Sequence, residues 1–177
     1  NRESVQLLLA AHAAVDQPAN DGSTPLYAAC CEGHSECTQL LLAARATIDL
    51  SEIDGTTPLH AACCEGHSEC TQLLITARAT IDQPDNKGVT PLSAACSQGH
   101  SECTQLLLTA RATIDQPESN GSTPLHAACL NGFLDIVRQL LQAGARSDLR
   151  TADGQTPLSM ADASGHAAIA RLLRTHR

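Results

Sequence analysis

Residues Thr57 to Leu74 read TPLHAACCEGHSECTQLL, and the same string returns at Thr24 to Leu41 with Tyr27 in place of His60. A third copy, TPLSAACSQGHSECTQLL, runs from Thr90 to Leu107, and looser copies open at Thr123 and Thr156. The starts at 24, 57, 90, 123 and 156 are each 33 residues apart, with no insertion or deletion between them. A fixed period of this size marks a stack of supersecondary units, none of which can bury its apolar face alone.

Each copy reads as two helices and a linker. Thr-Pro predicts an N-cap followed by proline in the first helical position, where the missing N–H costs nothing. Leu26, Ala29 and Cys30 then fall at i, i+3 and i+4, and Gly33 closes this short first helix. The spacing predicts a second helix over His34 to Ala44, with Cys37, Leu40, Leu41 and Ala44 on its buried face. The remaining segment of each copy, such as Asp82 to Gly88 (DQPDNKG), is rich in turn formers and links one pair to the next.

Composition agrees with thin layers. The 177 residues are 42% hydrophobic but include one Tyr, one Phe and no Trp, so Ala, Leu and Cys must fill the interior. The net charge of −8 is uneven: residues 1–116 hold 5 basic and 14 acidic side chains, against 6 and 5 in residues 117–177. An acidic front half with no Lys/Arg cluster repels phosphate backbones, so neither nucleic acid nor an anionic membrane is an expected partner. No apolar run reaches a membrane span of about 18 residues, and no signal-peptide pattern opens the chain. Asn1 to Ala11 aligns with the second helix of a repeat, so the sequence reads as opening inside one, as a fragment of a longer chain would.

TPLHAA, the GH pair, the leucine triplet and the 33-residue step resemble ankyrin repeats over nearly the whole chain. The resemblance implies an all-α solenoid of stacked antiparallel helix pairs with β-turn fingers, forming a single domain over 1–177. Its divisions are a partial repeat at 1–19, repeats at 20–52, 53–85, 86–118 and 119–151, and a C-terminal repeat at 152–177. One departure from the family pattern stands out. Gly144 comes after the fourth repeat's second helix, but the matching positions hold His12, Arg45, Arg78 and Arg111. A left-handed residue there costs roughly 1 kcal/mol or more when it carries a Cβ.

The nine cysteines invite a chemical reading. Cys31-x-x-His34-x-x-Cys37, repeated as Cys64, His67 and Cys70, has metal-like spacing. The helix pattern separates these residues between core, outer face and turn, so no metal or other cofactor is expected. Equivalent cysteines of neighbouring repeats would lie a helix packing distance apart, roughly 8 to 10 Å, beyond disulfide reach. Free thiols and an intracellular, cytoplasmic location are therefore expected. His34, His67, His100 and His166, and His60 and His126 in TPLH, read as structural hydrogen-bonders. DQPDNKG misplaces the glycine of a calcium loop and lacks its final Glu. No phosphate-binding, nucleophile-elbow or zinc-protease string is present, and Glu32 and Glu65 sit on an open surface, so no enzyme activity and no small-molecule substrate are expected.

By the resemblance, a protein or peptide partner, basic where it is charged, would be held on a concave side by finger residues and by the ends of the first helices. Carried over by position, these are Asn20, Asp21, Ser23, Cys31 and Glu32 in the first full repeat, and Ile53, Asp54, Thr56, Cys64 and Glu65 in the second. The third contributes Asn86, Lys87, Val89, Ser97 and Gln98, and the fourth Ser119, Asn120, Ser122, Leu130 and Asn131. These columns vary between copies that are otherwise near-identical, as a binding scaffold would require. The alternative is a structural spacer with no partner of its own.

Overall fold

The computed structural model describes residues 2–176 and contains eleven helices. Asn1 and Arg177, at the outer ends of the two boundary segments, lie outside the described residues. After α1 (Arg2–Ala10) come five pairs: α2 (Pro25–Cys31) with α3 (Ser35–Ala43), α4 (Pro58–Glu65) with α5 (Ser68–Thr76), and α6 (Pro91–Gln98) with α7 (Ser101–Thr109). α8 (Pro124–Asn131) with α9 (Leu134–Gln142) and α10 (Pro157–Ala163) with α11 (Ala167–Thr175) complete the stack. Contacts between helices run within pairs and to the next pair, which makes the fold a solenoid. First helices pack on first helices more closely than second helices do on second helices.

Every first helix starts as its Thr-Pro signature requires. Thr24, Thr57, Thr90 and Thr156 accept from the backbone N–H three residues on, and proline fills the first helical position. Thr123 and His126 form a reciprocal capping box. Leu26, Leu59, Leu92 and Leu125 are fully buried beneath these caps, beside Cys30, Cys63, Cys96 and Cys129.

The second helices bury a different stripe from the one the spacing suggested. In α3 it is Cys37, Thr38 and Leu41 that are buried, while Leu40 is half-buried and Ala44 exposed. Threonine can take the interior position because its hydroxyl is satisfied: Thr38, Thr71 and Thr104 each donate to the carbonyl four residues earlier, at 3.0–3.1 Å. Hydrophobicity alone ranks Leu above Thr for burial, but the helix turns Leu40 partly to the surface.

The left-handed positions fall where the missing glycines suggested. His12, Arg45, Arg78 and Arg111 have φ between 58° and 68°, and Gly144 has φ 96°. In each case the next residue returns its N–H to the helix, as Ala79 does to Leu74 O at 3.0 Å, which satisfies a carbonyl left free by the helix end.

An aspartate ladder then ties repeat to repeat. Asp16, Asp49 and Asp82 each accept from both the backbone N–H and the hydroxyl of Thr47, Thr80 and Thr113, at 2.6–3.2 Å. Asp115 continues the ladder onto the backbone of Arg146. Asp82, which opens the segment weighed against a calcium loop, is thus a cross-repeat acceptor.

Candidate functional site

The fingers are tight turns closed by short polar side chains. Asp21 accepts from the Ser23 N–H at 2.9 Å, Asp54 from Thr56 N–H at 2.9 Å and hydroxyl at 2.6 Å, and Asn120 from the Ser122 N–H at 2.7 Å. Asp85 plays this part for Lys87 and Val89, at 2.8 Å each. Neighbouring fingers are also joined: Asn86 N–H donates to Asp54 O, Ser119 N–H to Lys87 O and Ala152 N–H to Asn120 O, at 2.8–3.0 Å.

These bonds divide the twenty residues proposed from sequence. Thr56 and Ser122 are only 9% and 8% exposed, so they face the fold. The burial comes from the turn itself, because the residue that donates back to Asp54 or Asn120 is drawn beneath the finger. Asp21, Asp54 and Asn120 spend an oxygen on their own turns, and the Thr56 hydroxyl and N–H hold the Asp54 carboxyl below its ordinary range. Asn86 donates to Ile53 O, Ser119 to Lys87 O, Ser97 to Ala94 O, and Asn131 to both Ser97 O and Ala127 O. Ser23, Val89, Cys31 and Cys64 are half-buried. Asn20, Glu32, Ile53, Glu65, Lys87, Gln98 and Leu130 are exposed, and two of these are large and apolar: Ile53 at 77% and Leu130 at 49%.

The acidic groups of the front repeats converge. Burial raises the Cys31 thiol, and the carboxylates of Glu65, Glu32 and Glu52 raise it further, so acids from two first helices and a finger share one field. Burial and then repulsion from Asp21 and Asp54 likewise raise Glu52. Glu52 was not among the residues singled out from sequence.

A second set was anticipated only at His126, which was expected to be a structural hydrogen-bonder. In α2, α6 and α8 the residue after Thr-Pro-Leu reaches the finger of the next repeat. Tyr27 meets the Thr56 hydroxyl at 3.4 Å, Ser93 donates to Glu118, and His126 Nε2 lies 3.2 Å from Gln155 O. Burial pushes the Tyr27 phenol up to about 12. The variation at positions 27, 93 and 126 was visible in the sequence, but each partner lies 25 to 29 residues downstream.

Three histidines of the column act as the expected structural hydrogen-bonders, whereas His60 Nε2 is buried with no hydrogen-bond partner among the described residues. His67, His100 and His166 place Nε2 2.9–3.0 Å from Cys31 O, Cys64 O and Leu130 O, the exposed carbonyl end of the previous repeat's first helix. Among the described residues no three or more His, Cys, Asp or Glu side chains are grouped to hold a metal, and no helix is long and apolar enough to cross a membrane. On the second-helix side, a shallow depression between α3 and α5 is lined by Ser35, Glu36, Gln39, Glu69, Gln72 and Leu73.

The family model for ankyrin repeats (three copies) matches residues 1–85, 44–118, 79–151 and 109–177. The chain belongs to the ankyrin repeat family. No curated protein matches it. Ankyrin repeats are generally protein–protein interaction modules and are typically not catalytic.

Proposed function

We propose that this ankyrin stack binds a basic or mixed protein segment across its concave, first-helix side, centred on repeats one and two. The exposed Glu32 and Glu65 at the ends of neighbouring first helices, with Glu52 in the finger turn of the second repeat, carry this reading. A spacer has no need to set carboxylates from separate repeats around one position. Ile53 and Leu130 are exposed apolar side chains that offer contact area, and interface energy concentrates in such anchors when a partner desolvates them. The acids would serve mainly to accelerate encounter and to select against acidic partners.

The test compares Glu65→Lys with Gln72→Lys, which places a positive charge in the depression between α3 and α5. With a partner captured on the parent chain, calorimetric titration at several salt concentrations should show weaker binding and a flatter salt dependence for Glu65→Lys alone. Unchanged affinity for Glu65→Lys, or a larger loss for Gln72→Lys, would move the site off the first-helix side and favour the spacer reading.

A further inference from the structure

Two pairs of cysteines that are not equivalent in the repeat are brought together by the stacking. Thr38 Oγ1 lies 3.7 Å from Cys30 Sγ and 3.6 Å from Cys70 Sγ, so thiols of the first and second repeats meet across one hydroxyl. One repeat on, Thr71 Oγ1 lies 3.7 Å from Cys63 Sγ and 3.5 Å from Cys103 Sγ. All four cysteines are fully buried. The series stops at the third repeat: Thr104 still touches Cys96 at 3.8 Å, but Ile136 and Ile169 hold the places equivalent to Cys70 and Cys103. Because a branched aliphatic fills the same place in the later repeats, packing by itself does not require thiol opposite thiol.

We propose that Cys30 with Cys70 and Cys63 with Cys103 are two cross-repeat disulfide-forming sites, closed by peroxide, that staple repeats one, two and three to one another. The two members of each pair differ. Cys70 and Cys103 stand in the first turn of α5 and α7, where free N–H groups and the helix dipole favour a thiolate. Cys30 and Cys63 stand near the carbonyl ends of α2 and α4, where they do not. In keeping with this, the neighbouring Cys30 thiol and then the Thr38 hydroxyl bring Cys70 down to about 6, while Cys70 and burial push Cys30 up. Cys103 is lowered to about 7 by Cys63, while burial and then Cys103 raise Cys63.

The thiolate of Cys70 attacks one peroxide oxygen. The S–O bond forms, the O–O bond breaks, and the departing hydroxide leaves as water after protonation. The Cys30 sulfur then attacks the Cys70 sulfur; the S–S bond forms and the S–O bond breaks. Hydroxide leaves with the Cys30 proton as a second water, so two thiols are oxidised and one peroxide is reduced. Burial makes opening of the repeat interface the gate, and solenoids open locally between repeats.

The experiment oxidises the reduced chain with hydrogen peroxide, alkylates the remaining thiols, and maps peptides after cleavage by trypsin and a glutamate-specific protease. Cleavage after Glu32, Glu65, Glu69, Arg78 and Glu102 places the paired cysteines on separate peptides. The expected products are intramolecular Cys30–Cys70 and Cys63–Cys103 links that a dithiol reverses, with Cys37, Cys96 and Cys129 still alkylated. Cross-linking should accelerate in urea below the unfolding midpoint. Cys70→Ser, or Cys70→Ile if the serine variant does not fold, should abolish the first link and spare the second. A dominant Cys31–Cys64 link, links only between chains, or oxidation only to sulfinic and sulfonic acids would overturn the proposal. The readout involves no partner, so it stands or falls apart from the binding reading above.

Discussion

The imidazole of His100 lies against Gly66 so closely that a Cβ on the glycine would stand 2.4 Å from Nδ1. Gly66 also has φ +79° as the cap of α4, and His100 Nε2 binds Cys64 O at 2.9 Å. One glycine therefore serves a left-handed helix end and makes room for the ring that satisfies that end's carbonyl. Gly66→Ala should cost about 2 kcal/mol, roughly half from backbone strain and half from displacing the His100 bond. Gly165→Ala, with φ +78° and nothing within 4 Å, should pay the strain alone. Urea unfolding of the two variants checks the difference. Adding His100→Ala to Gly66→Ala should cost less than the two separate losses summed, because the clash is then absent.

Arg78 has φ 68°. Replacing it with glycine relieves strain of about 1–2 kcal/mol. Greater freedom of glycine in the unfolded chain offsets about 0.4–1 kcal/mol of that. Loss of a positive charge beside the C-terminus of α5 removes about 0.3 kcal/mol at an exposed site. The expected outcome is a small net gain for Arg78→Gly, repeated at Arg45 and Arg111 and additive over the three. Thermal melts of the single and triple variants measure it, and a loss would mean that the arginine side chain stabilises the helix end by more than its backbone strains it.

Asp82 accepts from Thr113 N–H at 2.9 Å and from its hydroxyl at 2.6 Å, joining the second repeat's end to the third's. Asp82→Ala should destabilise by about 1.5 kcal/mol, the low end for charge-assisted bonds because the site is partly solvated. The loss should appear in hydrogen exchange as weaker protection at Thr113 before the core amides change.

Burial lowers His60 and His126 below the ordinary histidine value of 6.5. The unfolded chain therefore takes up protons that the folded chain refuses. Stability is fully present above pH 6.5 and falls as the pH drops below that value toward the folded-state values, by up to about 1.4 kcal/mol per pH unit for each histidine. The double variant His60→Gln with His126→Gln should show a flatter melting temperature between pH 6.5 and 5 than the parent. An identical slope would mean that other groups carry the acid sensitivity.

The period of 33, the Thr-Pro caps, the small-residue first helices and the left-handed arginines were all legible in one dimension. Each depends on residues within a single repeat, where 3.6-residue periodicity and capping chemistry operate. The relations between repeats were not legible in the same way. Cys30 and Cys70 stand 40 residues apart and occupy different places in the repeat, so comparing only equivalent cysteines overlooked them. Asp82 with Thr113, Tyr27 with Thr56, and the burial of Thr56 and Ser122 likewise depend on how one pair of helices settles on the next. Sequence by itself determined the unit and its number, because local backbone chemistry repeats with the chain. Which side chains of neighbouring units meet was decided only by the tertiary structure, because the offset between stacked layers sets those contacts and no local pattern encodes it.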